Sequence, residues 1–342
     1  MVAPLRVLVT GGSGFIGAHS AHALVEAGHS VRFLVRSPER LARAVAPLGV
    51  TIDDTVVGDV TDEAVVRRAL EGSDAVLHAA AVVATGSQQA AEMAATNLGG
   101  TRVVLGAAAE LGLDPIVHVS SGSALYPTTE PVVGPDSAVV EGLGAYGESK
   151  ARAERFARHL QAQGAPVVCT YPMMVLGPPA GDRCGESASA FPLFLRLRVV
   201  TDVGHWVCSD VRDVAAVHAA VMTQGLGPRR YTCGGHFLST GEAIALLAQV
   251  TGHTFHRVPV PERAIVALGG ISELMGRVAH RSTPFTRDGM VYLTHAVRFD
   301  DRRTVEELGV VFRDPLETIR ATVRGLVKTG TVTAEQGGHA AS

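Results

Sequence analysis

The sequence predicts an α/β fold built on a doubly wound parallel sheet, and three observations carry that expectation. Short β-branched runs alternate with longer helical patterns along the first half of the chain. The first run, LRVLVT (5–10), reads as a strand buried on both faces. It leads directly into GGSGFIG (11–17), a glycine-rich turn that opens a helical segment.

Taken in order, 15–27 (FIGAHSAHALVEA) reads as a helix stopped by Gly28, and VRFLVR (31–36) as the second strand. Further strands are expected at 55–60, 75–80, 116–121 and 167–172, with helices at 62–71, 90–111 and 145–163. Strict alternation of strand and helix implies right-handed crossovers and helices on both faces of the sheet. DDRRTVEELGV (300–310) reads as a loop and helix, and the small polar tail (331–342) as flexible.

Composition bounds the function. With 342 residues, 46% of them hydrophobic, the chain can fill one large domain with an attachment. A formal net charge of −3 offers nothing to a nucleic acid or an acidic membrane. Cys169, Cys184, Cys208 and Cys233 show no C-x-x-C spacing and read as reduced thiols of a cytoplasmic protein, and no metal site is expected. The first strand starts at Leu5, leaving no room for a signal peptide. The stretch AIVALGGISELM (264–275) is too short and too glycine-broken to span a membrane.

The sharpest motif is the glycine turn. Gly11, Gly14 and Gly17 allow a tight turn, close approach to a pyrophosphate, and packing of helix on sheet. Ser13, Phe15 and Ile16 share that turn and helix start, where free N–H groups and the positive end of the helix dipole meet phosphate. NAD would ask for an acidic residue after the second strand, to grip the ribose 2′-hydroxyl. Arg36 stands there instead, with Ser37 and Arg40 close behind. A guanidinium fork suits a 2′-phosphate, so NADP(H) is expected in preference to NAD(H), which stays possible. The plain alternative for Arg36 is a solvated surface arginine.

After TGGSGFIG come GDV (58–60), HAAA (78–81), NLGGT (97–101), VSS (119–121), YGESK (146–150) and DVRDVA (210–215). In that order they resemble an extended short-chain dehydrogenase/reductase, over roughly residues 5–330. Arg36 and VRDV look most like the branch holding dihydroflavonol reductase, cinnamoyl-CoA reductase and 3β-hydroxysteroid dehydrogenase. The resemblance implies a Rossmann dinucleotide domain (1–177 plus 205–233) and a smaller C-terminal α+β substrate lobe (178–204 plus 234–330). It also implies a homodimer through the helices at 90–111 and 145–163, a pattern that an ordinary buried helix pair would share.

Carried onto this chain, the resemblance sets Asp59 and Val60 beside the adenine and His78, Ala79 and Ala80 along the cofactor. A buried, hydrogen-bonded strand histidine is the plainer reading of His78. Asn97 braces the sheet or a water near the site, or caps a helix. Asp213 caps the helix after DVRDVA. Pro172, Met173 and Val175 in YPMMVLGP (171–178) offer backbone groups to the nicotinamide carboxamide.

Tyr146 and Lys150, four residues apart, share one face of a helix. A phenol can protonate the alkoxide left by hydride transfer, and a nearby ammonium and the positive nicotinamide draw its pKa down from about 10. Lys150 is also placed to hold the nicotinamide ribose. A third group should donate to the substrate oxygen. Ser121, at the end of the fifth strand, takes that position, with Ser123 in reserve because the loop spacing is offset by one residue; Ser120 points the other way. The irregular stretch after Gly177 reads as a lid. Phe191, Phe194, Leu195, Trp206 and Met275 are pocket candidates, or equally core.

The expectation is an NADP(H)-dependent oxidoreductase acting on a carbonyl or alcohol of a fairly apolar small molecule. A sugar-nucleotide epimerase or dehydratase is the alternative within the family, and a non-catalytic NADP(H) sensor the alternative outside it.

Overall fold

The computed structural model describes residues 3–83, 90–278, 283 and 285–341. In chain order, β1 (Arg6–Thr10), α1 (Phe15–Glu26), β2 (Ser30–Val35), α2 (Pro38–Val45), β3 (Thr55–Val57), α3 (Glu63–Leu70) and β4 (Ala75–His78) open the fold. Then come α4 (Ala90–Met93), a π-helical turn (Ala94–Gly99), α5 (Gly100–Glu110), β5 (Ile116–Val119), β6 (Val132–Val133) and α6 (Gly144–Ala162). The middle continues with β7 (Val167–Pro172), β8 (Met174–Leu176), α7 (Phe191–Leu197), β9 (Val199–Thr201), β10 (His205–Asp210), α8 (Val211–Ala220) and β11 (Arg229–Cys233). Last come β12 (His236–Ser239), α9 (Thr240–Thr251), β13 (His256–Val258), α10 (Glu262–Val278) and α11 (Arg287–Thr294), followed by β14 (Arg298–Phe299), α12 (Arg302–Leu308), α13 (Pro315–Lys328) and α14 (Ala334–Gly337).

The main sheet runs β3-β2-β1-β4-β5-β7-β11, and every pairing in it is parallel. Val7, Leu8 and Val9 are fully buried because helices cover both faces, which explains the uninterrupted apolar run. After β1 the chain moves outward to β3 and then crosses back to β4 on the other side. That reversal opens a crevice beyond the carboxyl ends of β1 and β4, where sheets of this kind bind ligands. The glycine turn lies there.

α1 packs on α8 through Phe15, Ala18, Ala21 and Leu24, a helical-period stripe of buried residues. The buried His218 ring of α8 bridges Ser20 (2.7 Å) and Thr170 (3.0 Å), tying both helices to β7. Cap chemistry starts the neighbouring helices: Ser37 accepts from the Arg40 N–H before α2, and Asp62 from the Val65 N–H before α3. Ser37 is therefore a helix cap.

A second sheet, β12-β10-β8, sits beyond the crevice. β10 runs parallel to β8 and antiparallel to β12. The chain passes from β7 to β8 across Met173 alone, and from β11 to β12 across Gly234 and Gly235. One expected boundary moves: 205–210 belongs with the second sheet, since Cys208, Ser209 and Asp210 pair with Met174, Val175 and Leu176. α8 and β11 then return to the main sheet.

Trp206, Phe191, Leu195, Leu247, Ile319 and Val323 form the core behind the second sheet. Val332 and Ala340 join it, and a Thr333–Gln336 capping box starts α14. Through residue 341 the tail forms short helical turns, with Val332, Gly337 and Ala340 buried and most of its other side chains exposed. Among the described residues no helix is long and apolar enough to cross a membrane.

Candidate active site

The crevice is shaped by absent side chains. A Cβ on Gly11 (φ +75°) would lie 2.6 Å from the Ala79 backbone, and one on Gly17 would lie 2.2 Å from the Gly11 carbonyl oxygen. α1 begins after Gly14 with no side-chain cap, leaving first-turn N–H groups without a capping partner. Gly14, Phe15, Ile16 and Gly17 line the crevice wall at that point. Uncapped donors beside a backbone cradle fit the pyrophosphate of a dinucleotide.

A narrower groove continues towards β2 and β3, lined by Ser13, Arg36, Arg40, Asp59, Val60 and Ala80 among others. Arg36 is 64% exposed and points no closer than 3.9 Å to the Asp59 carboxylate, so its guanidinium stays available to an anion. Partial burial works to raise the Asp59 pKa. Hydrogen bonds from Thr61 and the charge of Arg36 outweigh it and hold the carboxyl below its ordinary range.

Two expected cofactor residues are elsewhere. The buried His78 ring lies between the sheet and α5, with Nδ1 2.8 Å from Thr10 Oγ1 and Nε2 3.2 Å from Thr101 Oγ1. Thr10 and His78 are register partners on adjacent strands, which puts both side chains on the same face of the sheet. Asn97 is also buried, in the π-helical turn. Its Oδ1 accepts from the Val82 N–H (2.7 Å), and its Nδ2 donates to the Val82 carbonyl (3.0 Å) and Ser149 Oγ (3.0 Å). It clasps the loop after β4 to α6, next to Lys150, and does not line the crevice.

Tyr146 and Lys150 stand one turn apart on α6, and both line the main cavity. The Lys150 ammonium is buried and donates to the Val119 carbonyl at 3.1 Å; burial pulls its pKa down to about 8. Ser121 ends the extended segment after β5, where its Oγ accepts from the Ser123 N–H (3.2 Å) and hydroxyl (2.9 Å). Ser121, Ser123 and Tyr146 line the same cavity. Burial pushes that phenol's pKa up, while the two serines favour its ionised form. The serines, rather than Lys150, are therefore the groups that oppose desolvation of the phenol here. Lys150 acts instead on His78 and His118, adding to the burial that keeps both rings neutral.

Ser120 stays in the wall with its hydroxyl enclosed. Asp213 is not the cap expected of it. Asp210 caps α8, and Asp213 binds the Arg313 backbone and guanidinium, fixing the C-terminal segment to α8.

The cavity that Tyr146 shares with the glycine turn has a volume of about 850 Å³. Pro172, Met173 and Val175 line it as expected, but the aromatic pocket candidates do not. Phe191, Leu195 and Trp206 are core, Phe194 packs against that core, and Met275 is 66% exposed. The apolar walls come instead from Leu143, Met174, Val207, Leu293 and Ala296. Tyr292 of α11 also lines the cavity; its buried hydroxyl has no hydrogen-bond partner, and nothing in its local sequence marks it.

The sequence pattern of the NAD dependent epimerase/dehydratase family matches residues 7–234, more than half of the chain. The chain belongs to that family. Sterol demethylase protein B of Methylococcus capsulatus is 28% identical to this family member over 327 residues, covering 90% of this chain and 94% of that protein. A putative dihydroflavonol 4-reductase of Synechocystis sp. is 28% identical over 319 residues, covering 88% and 89%. The fold is also that of a UDP-glucose-4-epimerase from Stenotrophomonas maltophila solved with NAD, at a TM-score of 0.74 and 21% identity over 96% of this chain and 99% of that one. This epimerase/dehydratase-family member is an enzyme of the oxidoreductase kind with a nicotinamide cofactor, as the extended short-chain dehydrogenase/reductase motifs implied.

Proposed function

We propose that this enzyme is an NADP(H)-dependent oxidoreductase that interconverts a ketone or aldehyde with the matching alcohol on a fairly apolar small molecule. One observation carries the reading: Ser121, Ser123, Tyr146 and the buried Lys150 line one cavity together with the glycine turn. Bound in the crevice, the nicotinamide supplies or accepts the hydride.

Ser121 donates to the substrate oxygen, because its own Oγ already accepts from Ser123 and its proton is left over. Tyr146 delivers a proton to that oxygen as negative charge develops, and takes it back in the opposite direction. Lys150 spends one N–H on Val119 and has two more for ribose hydroxyls. Asn97 keeps the helix carrying these groups in place. Arg36 and Arg40 hold a 2′-phosphate, and Gly11 to Gly17 hold the pyrophosphate. Pro172, Met173 and Val175 orient the carboxamide. The apolar walls, and relatives named for sterol and dihydroflavonol chemistry, support a ring-bearing or aliphatic substrate over a sugar nucleotide.

The epimerase/dehydratase reading is favoured by the family pattern itself. A single assay separates the two. Purified enzyme is offered NADPH or NADH with a panel of steroid, aryl and alkyl ketones and aldehydes, and separately UDP-glucose. NADPH-dependent loss of near-ultraviolet absorbance with apolar carbonyls is expected. Conversion of the sugar nucleotide, with every carbonyl inert, would overturn the proposal.

A further inference from the structure

We propose that Arg183 clamps the cofactor pyrophosphate together with the glycine turn; this rests on the dinucleotide reading of the crevice. The crevice has two chambers, a wide one beside Tyr146 and a narrow one beside Arg36. Their linings share only Gly11, Gly14, Ala79, Ala81 and Arg183. A pyrophosphate joins the nicotinamide and adenosine halves of a dinucleotide, so it belongs where the two chambers meet. Four of the shared residues have no side chain beyond Cβ. Arg183 is the charged one.

Its place is fixed from outside the glycine turn. The segment after β8 is seated on α1 and α2 at three points. The His19 ring bonds the Pro178 carbonyl at 3.0 Å. Gly181 (φ +63°) lies so close to Arg43 that a Cβ would stand 2.3 Å from the Arg43 carbonyl oxygen. A Cβ on Gly185 (φ +75°) would meet the Phe15 ring at 2.6 Å. Between these anchors Ala180 and Arg183 exchange two backbone hydrogen bonds, of 2.9 and 3.1 Å, closing a tight turn. The Arg183 side chain is exposed, and no carboxylate among the described residues lies within ion-pair distance of it.

A helix N-terminus offers about half a positive charge, which leaves much of the charge of a pyrophosphate unmatched. A forked guanidinium where the two chambers meet supplies the remainder with paired donors. Cys184, Gly185, Glu186 and Ser187, next along the same segment, line the wide chamber. A grip at Arg183 therefore also fixes one wall of the substrate space when cofactor binds.

The test compares the full-length enzyme with R183Q and R36Q by isothermal titration. Three ligands are used: NADPH, ADP-ribose (pyrophosphate without the 2′-phosphate) and adenosine 2′-monophosphate (the 2′-phosphate without pyrophosphate). R183Q should weaken NADPH and ADP-ribose by about ten- to a hundredfold, the loss of one charge-assisted contact, and leave adenosine 2′-monophosphate unchanged. R36Q should spare ADP-ribose and weaken the other two. Unchanged ADP-ribose binding in R183Q, or equal weakening of all three ligands, overturns the clamp. If wild type binds neither NADPH nor ADP-ribose, the dinucleotide reading falls and the clamp with it.

Discussion

The Ser123 hydroxyl donates to the Ser121 hydroxyl at 2.9 Å, so the two serines form a linked pair in the cavity that Tyr146 lines. Ser121 keeps its own proton for the substrate. Ser121→Ala should therefore lower kcat/KM by about a hundredfold or more, in the range for losing one oxyanion donor. Ser123→Ala should cost about tenfold, and the double variant less than the product of the two, since neighbours couple. Steady-state kinetics on all three decides it, and the reverse ranking would hand the role to Ser123.

Removing the Tyr146 hydroxyl takes away the proton donor but not the binding surface. Tyr146→Phe should reduce kcat/KM by about 10²–10⁴ while the dissociation constant for NADPH stays within about twofold. Turnover close to wild type would exclude the phenol from the chemistry.

Arg36 carries the cofactor preference. Arg36→Ala should weaken NADPH by about ten- to a hundredfold and leave NADH almost untouched, because only the former has a 2′-phosphate to lose. Fluorescence titration with both cofactors measures it. Equal effects on both would return Arg36 to the solvated surface.

Lys150 is a buried ammonium whose folded pKa, about 8, lies below the 10.5 of a free lysine. Between those two pH values the unfolded chain binds more protons than the folded one, so stability rises with pH across the window. Below about pH 8 the folded protein carries the full cost of the buried charge, on the order of 3 kcal/mol. Lys150→Met should thus raise the melting temperature of the cofactor-free protein at pH 7 and abolish activity. The gap should narrow as pH climbs from 8 towards 10. A variant no more stable than wild type at pH 7 would contradict this.

Much of the dinucleotide half was legible because its signals are local. An apolar run, a glycine turn and a helical repeat each declare themselves within about a dozen residues, and YGESK needs only helical spacing. The second sheet was not legible, because β8 has three residues, follows β7 almost at once, and finds its partner β10 some thirty residues later. For His78 and Asn97 the sequence offered a buried, hydrogen-bonded histidine and a bracing asparagine beside their cofactor readings, but no partners. Their partners Thr10, Thr101, Val82 and Ser149 are brought to them by tertiary packing. The substrate wall was missed for a related reason. Trp206 and Leu293 are equally apolar in sequence, and only the fold decides which is buried in a core and which faces a cavity.

Two crossings between the sheets, at Met173 and at Gly234–Gly235, leave the neighbouring strands β7 and β11, and a third, at Asp210–Val211, returns the chain from β10 to α8. The second is braced by Asp301, whose carboxylate accepts from both glycine N–H groups at 3.0 and 2.7 Å. The sheets are thus joined by three short crossings, and Asp213 adds a further tie by holding Arg313 to α8. Met173 is both a crossing and part of the cavity lining, so a substitution there would reach the alignment of the two sheets and the shape of the site together.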